Sequence, residues 1–338
     1  SMNMQIQNPK YPVLYQSFNQ DGSCVAIGTK KGFKVFNTTP FKSLYSHDFS
    51  DGCSIVSMLY RSSILAISGA GNNLRYPRDT VTLYDDQSGR NLGEIELHHQ
   101  ILNVQLNREK IFIAIDGAVL IHNINDLKQI DRIETCANPQ GFLAVQGEKE
   151  AQVLCLGSKP GEVALKTYNA AQLTGSTNFQ CHESAIGCMA FSPDGQYFAT
   201  ASMKGTLIRI FSVKEKMMVR ELRRGSQESQ ITSIAFSPDN SKVACASDHG
   251  TMHVFGFLKV GDQNVENKKS GLKFLSGMNK YFDSEWSFAK FSLGCPQSHV
   301  KFQGNDSVMC LCADGQYYQL KIQDEKLVKE QQDNMIGD

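Results

Sequence analysis

Two consecutive arginines, Arg223 and Arg224, end the segment VRELRRGS (219–226), just ahead of Gly225. A guanidinium is permanently charged, and its fork of N–H donors matches the oxygens of a phosphate or carboxylate. The preceding residues read as a β-strand, and neighbours on a strand point to opposite faces. The two side chains therefore cannot easily share one phosphate. They predict two separate anion sites, side by side. Each site then draws on its own neighbourhood. TASMKGTLIR supplies Ser202, Thr206 and Arg209, with His182 upstream in CHES, and ASDHGTMH supplies Ser247, Thr251 and His253. The two stretches correspond position by position, Ser202 with Ser247 and Thr206 with Thr251. Hydroxyls and an imidazole around an arginine suit a multiply phosphorylated ring, and the histidines would tighten binding as they protonate below about pH 6.5. The same residue types also serve plain structure, as a solvated Arg-Arg-Gly corner with Ser and Thr capping turns.

These stretches belong to a repeat that must position them. Residues 191–213 (FSPDGQYFATASMKGTLIRIFSV) and 236–257 (FSPDNSKVACASDHGTMHVFGF) both run strand, Pro-Asp turn, strand, small-residue turn, strand, and 18–38 is the same unit. Weaker copies occupy 62–89, 108–126, 150–170 and 305–323. Aligned anchors fall at Phe18, Tyr60, Leu106, Val145, Phe191, Phe236 and Phe302, mostly 39 to 46 residues apart. That is the period of a four-stranded propeller blade. The fold expected is all-β: a seven-bladed β-propeller of four-stranded, WD40-like blades, with six or eight as the neighbouring alternatives. One such domain would fill residues 1–338, leaving a polar tail from about 324. The Trp-Asp and Gly-His signatures of these repeats are absent, Trp286 being the only tryptophan. In this frame VRELRRGS is the outermost strand of the fifth blade. The last interval, Phe236 to Phe302, is 66 residues and marks an insertion at about 258–283 in the sixth blade.

Composition narrows the function. Lysine plus arginine and aspartate plus glutamate each number 34, so there is no broad positive field for nucleic acid. Ten cysteines are scattered with no C-x-x-C pair, and several sit in apolar runs, as small core residues of a protein from a reducing compartment do. No signal-peptide segment or run of ~18 apolar residues is present. These features predict a soluble, cytosolic monomer that meets membranes from outside. No Gly-x-Ser-x-Gly elbow, phosphate-cradling glycine loop or H-E-x-x-H occurs, and Cys181 and His182 are strand neighbours that diverge rather than form a dyad. No enzyme activity, cofactor or metal is expected. A propeller scaffold that binds only proteins is the rival reading; it would leave Arg223 and Arg224 dispensable.

The combination of LRRG with HES, SMKGTLIRIFSV and SDHGTMHVF closely resembles the PROPPINs, β-propellers that bind polyphosphoinositides in autophagy and include the animal WIPI proteins. Their hallmark is Phe-Arg-Arg-Gly; Leu222 stands in the aromatic position, as in one WIPI subgroup. The resemblance implies two pockets for phosphatidylinositol 3-phosphate or the 3,5-bisphosphate. His182, Ser202, Thr206, Arg209 and Arg223 match one; Arg224, Ser247, Thr251 and His253 match the other. The family also places a membrane-inserting loop in the sixth blade. The insertion here interleaves Lys268, Lys269 and Lys273 with Leu272, Phe274 and Leu275, a composition suited to the headgroup boundary. Finally, GAGNNLRYPRDTVTLYDD (69–86) resembles the Lys-Tyr-Pro-Pro stretch through which the WIPI subgroup engages a large autophagic lipid-transfer protein. Contacts would fall around Asn73, Arg75, Tyr76, Pro77 and Arg78, unless Tyr76-Pro77 is only a rigid turn. The expected location is cytoplasmic, peripheral to phosphoinositide-bearing membranes such as the preautophagosomal structure, endosomes or another organelle.

Overall fold

A computed structural model describes residues 4–6, 8–71, 75–258 and 285–337. Its strands form seven sheets, each one blade of a β-propeller. Blade one holds β1 (Met4–Gln5), β2 (Val13–Phe18), β3 (Cys24–Thr29), β4 (Gly32–Thr38) and β5 (Phe41–Asp48). Blade two holds β6 (Cys53–Met58), β7 (Ile64–Gly69), β8 (Thr80–Asp85) and β9 (Arg90–Glu96). Blade three holds β10 (Asn103–Leu106), β11 (Lys110–Ile115), β12 (Ala118–Asn123) and β13 (Gln129–Glu134). Blade four holds β14 (Ala144–Gln146), β15 (Ala151–Leu156), β16 (Glu162–Tyr168) and β17 (Leu173–Gln180). Blade five holds β18 (Ile186–Phe191), β19 (Tyr197–Ser202), β20 (Leu207–Ser212) and β21 (Met217–Arg223). Blade six begins with β22 (Ile231–Phe236), β23 (Lys242–Ser247) and β24 (Thr251–Gly256). The chain then adds β25 (Glu285–Trp286) to the outer edge of blade five, parallel to β21, before β26 (Ala289–Ser292) completes blade six. Blade seven holds β27 (Ser298–Phe302), β28 (Ser307–Cys312), β29 (Gln316–Gln323) and β30 (Lys326–Asn334).

Local chemistry explains the hairpins. In blade five, Ser192 Oγ donates to Asp194 Oδ1 at 2.6 Å and the Gln196 amide donates to the same oxygen at 3.0 Å. Blade six repeats the device with Ser237, Asp239 and Ser241 at 2.8 and 2.9 Å. Gly195 takes φ +69°, and Asn240 takes its place at +58°, a conformation asparagine tolerates better than most residues. Six of the seven anchors read from the sequence lie on the innermost strands; Tyr60 sits in the turn just past β6.

Inner strands are buried throughout, as in β10, β18 and β22, while outer strands such as β17 alternate between exposed and half-buried. The apolar core lies between blades, so each blade is stable only with neighbours on both sides. Nine of the ten cysteines are buried and Cys136 is half-buried; all are free thiols. Blade seven comes from one continuous segment and, among the described residues, exchanges no strand with blade one. Side chains close the ring instead: Phe41 stacks on Tyr317 at 4.2 Å, Phe18 meets His299 edge-on at 5.3 Å, and Gln303 bonds Thr39.

Two details differ from the sequence reading. The polar stretch from about 324 is no tail, because residues 326–334 pair along all of β29 as β30. An outermost strand faces solvent widely and needs little apolar character, and its turn uses Asp324 and Glu325 at φ +51° and +57°, not the glycine that usually marks a tight hairpin. The chain leaving the insertion, placed in the sixth blade, first pairs with blade five as β25 before β26 resumes blade six.

Candidate functional site

The rim of blades five and six gathers the residues singled out above. Arg209, midway along β20, lies opposite Thr200 on β19 and Glu221 on β21. Its Nε donates to Glu221 Oε2 at 2.9 Å and its Nη1 to the Cys181 carbonyl at 2.8 Å. His182 completes the row, with Nε2 2.9 Å from Thr200 Oγ1. Burial, with the Arg209 charge beside it, pushes His182 down to about 4. The imidazole is therefore neutral at physiological pH in the protein without ligand.

Arg223 ends β21 two residues beyond Glu221 and so shares its face. It is only 8% exposed, and its guanidinium carbon lies 5.9 Å from the Trp286 ring, held in register by the β21–β25 pairing. Ser202, at the end of β19, is buried and accepts the Gly205 amide at 3.0 Å through its carbonyl; Thr206, half-buried, accepts the Arg224 amide at 2.9 Å.

Arg224 turns the other way. Its Nε donates to the Gly205 carbonyl at 2.6 Å and its Nη2 to the Gln227 carbonyl. Burial lowers its pKa, partly offset by Cys245 and Asp248 of blade six. Around it, His253 is buried with Nδ1 3.2 Å from Ser287 Oγ, and burial plus the charges of Lys290 and Arg224 push it to about 4. Thr251 is half-buried at the start of β24. Ser247 Oγ is buried without a hydrogen-bond partner among the described residues. An orphaned hydroxyl costs about 1–3 kcal/mol, a penalty that an anionic oxygen placed there would relieve.

The structure thus puts His182, Arg209 and Arg223 on the blade-five side and Arg224 and His253 toward blade six, with Ser202, Thr206, Ser247 and Thr251 on the adjoining turns and strand ends. Glu221 and the Cys181 carbonyl orient Arg209, and the Gly205 and Gln227 carbonyls orient Arg224. This arrangement can hold anions. Burial pushes the Cys181 thiol up to about 12, so it stays protonated at neutral pH. Sequence reasoning missed four participants. Thr200 and Glu221 orient His182 and Arg209, Lys290 stands opposite His253, and Trp286 flanks Arg223. Only strand register reveals them.

Of the remaining sequence candidates, Lys268, Lys269, Leu272, Lys273, Phe274 and Leu275 in the insertion lie outside the described residues, as does Asn73. In the second-blade stretch, Arg75 and Arg78 are exposed and Pro77 half-buried, but Tyr76 is buried. Its ring packs 4.6 Å from Phe49 and its hydroxyl lies 3.3 Å from Asn91 Oδ1. Tyr76 therefore holds the loop against the core, and the flanking Arg75 and Arg78 are what the loop exposes. Among the described residues one group brings metal-ligand types together: Asp79, Glu96 and His98, with ligand atoms within 4.8 Å of one another. Glu96 and His98 are exposed and already pair at 3.4 Å, as surface charges do.

Comparison with known proteins agrees with this architecture. The chain is 33% identical over 319 residues to autophagy-related protein 18e of Arabidopsis thaliana, covering 92% of this chain and 83% of that protein. It is 29% identical over 351 residues to autophagy-related protein 18 of Dictyostelium discoideum, covering 94% and 92%. Among solved structures it is similar to Hsv2 of Kluyveromyces lactis, with a TM-score of 0.78, 23% identity, and coverage of 99% of this chain and all of that one. The PROPPIN family profile matches residues 13–288, and the chain belongs to the PROPPIN family.

Proposed function

We propose that this protein is a peripheral membrane adaptor that grips phosphatidylinositol 3-phosphate, the 3,5-bisphosphate, or both, through two rim sites. The coarser statement, a phosphoinositide-binding propeller of autophagy that is not an enzyme, follows from family membership. Two features support the finer reading: Arg223 shares the strand face of Glu221, the partner of Arg209, and Arg224 lies near Cys245, Asp248 and His253 of blade six. His182, Ser202, Thr206, Arg209 and Arg223 form the first site. Arg224, Ser247, Thr251 and His253 form the second. The insertion, through Leu272, Phe274 and Leu275 with the lysines beside them, adds a third point of attachment, and the three together gain avidity without any single strong contact. The exposed face of the second-blade loop, Arg75, Pro77 and Arg78 with Asn73, is the proposed seat of a lipid-transfer protein of autophagy.

Flotation with liposomes tests the lipid reading. The protein should float with vesicles containing phosphatidylinositol 3-phosphate and not with unphosphorylated phosphatidylinositol. Each charge-assisted contact is worth about 1.5–3 kcal/mol, so Arg223→Ala or Arg224→Ala alone should weaken binding about 10- to 100-fold and the pair together should abolish it. Equal flotation by a folded double variant would instead favour a protein-only scaffold.

A further inference from the structure

We propose that Trp286 is a fixed membrane-interface anchor set on the seam between the two head-group sites. The inference rests on the lipid-binding function above and extends it to a residue outside both pockets. Among the large apolar side chains that the described residues expose, Trp286 is the most open at 58%, and it belongs to none of the apolar clusters between blades. Folding gains little from a ring left in water. Yet its backbone is held on both sides. Its predecessor Glu285 pairs with Arg220 of blade five at 2.8 Å, and its successor Ser287 meets His253 of blade six at 3.2 Å. Trp286 itself pairs in register with Arg223, whose guanidinium lies 5.9 Å from the ring. One neighbour is thus tied to each blade, and the indole stands between.

The chemistry of indole fits that position. Tryptophan is apolar across its faces and carries one N–H donor, so it settles at the headgroup boundary of a bilayer, where one part of the ring is dry and another wet. A lipid whose phosphates rest on Arg223 or Arg224 brings the membrane surface to this rim. The ring then enters the boundary, with its orientation already fixed by β25, and little ordering entropy is lost on contact.

Because Trp286 is the only tryptophan, its fluorescence reports this step directly. With phosphatidylcholine vesicles carrying phosphatidylinositol 3-phosphate, emission should move to shorter wavelength and be quenched when the acyl chains are brominated. The soluble head group, inositol 1,3-bisphosphate, should produce no such blue shift. Trp286→Ser should lower vesicle affinity about tenfold while leaving soluble head-group affinity within about twofold, and Trp286→Phe should recover part of the loss. Flotation with an unshifted, unquenched spectrum, or undiminished vesicle binding by Trp286→Ser, overturns the anchor and leaves the lipid reading standing. Loss of soluble head-group binding in Trp286→Ser also overturns it, because the ring would then be supporting the pocket. Absence of flotation by the unaltered protein sinks the lipid reading, and the anchor with it.

Discussion

At the scale of single residues, the proposed rim site relies on arginine charges that do not titrate near neutrality. His182 and His253 contribute shape and hydrogen bonding, because burial holds both near 4. Soluble head-group affinity should therefore stay nearly level from pH 7.5 to 5.5, apart from the ligand's own phosphate ionisation. Titration calorimetry at several pH values checks this, and a rise in affinity centred near pH 6.5 would show that an imidazole titrates in the site after all. Glu221 has a different task. It holds the Arg209 guanidinium while the Cys181 carbonyl takes another of its N–H groups. Glu221→Gln keeps the shape and removes the competing charge, so Arg209 should attract phosphate more strongly but be less firmly placed.

Among the elements, the turns between strands carry both stability and site geometry. Gly205 has φ +63°, and a Cβ there would lie 1.8 Å from the Ser229 carbonyl oxygen; its own carbonyl accepts Arg224 Nε. Gly205→Ala should cost at least about 1–2 kcal/mol for the left-handed backbone alone, and it should weaken head-group binding more than a distant substitution of equal stability cost. Urea denaturation beside calorimetry separates the two effects. Ring closure offers a second element-level test. Blades one and seven share no strand, so the Phe41–Tyr317 stack should show a coupling energy of about 0.5–1.5 kcal/mol in a double-mutant cycle. Additive single effects would show that closure is carried elsewhere along the seam.

For the whole molecule, three buried neutral histidines set the acid limit. His182 and His253 stand near 4 and His299 near 3, all lowered first by burial. The unfolded chain binds protons at these positions near pH 6.5, before the folded chain does, so stability falls as pH falls. Their contribution is complete above pH 6.5 and is lost between about 6.5 and 4, continuing to about 3 for His299. A shift of this size amounts to at most about 3 kcal/mol for each of His182 and His253. Melting temperature should drop across that range. His299→Phe, at a position whose Nε2 is buried without a partner, should drop less between pH 6.5 and 4 than the unaltered protein does.

Much of this molecule is determined by sequence alone. The repeat period and turn residues indicate a propeller of about seven blades, because a blade whose two faces are apolar must stack to bury them, while the closed ring settles the number at seven. Strand alternation predicts that Arg223 and Arg224 diverge, although β21 ends at Arg223 and Arg224 lies just beyond it. Other features were decided only by long-range pairing. Asp324 and Glu325 close a hairpin without a glycine signal, and the polar β30 is a strand because β29 offers it an open edge. Tyr76 looked like a contact residue in its loop, but packing against Phe49 buries it. Trp286 belongs to blade six in chain order and to blade five in space, beside Arg223. Sequence records which groups a strand can present; which strand lies alongside it is settled by burial and backbone hydrogen bonding across the finished ring.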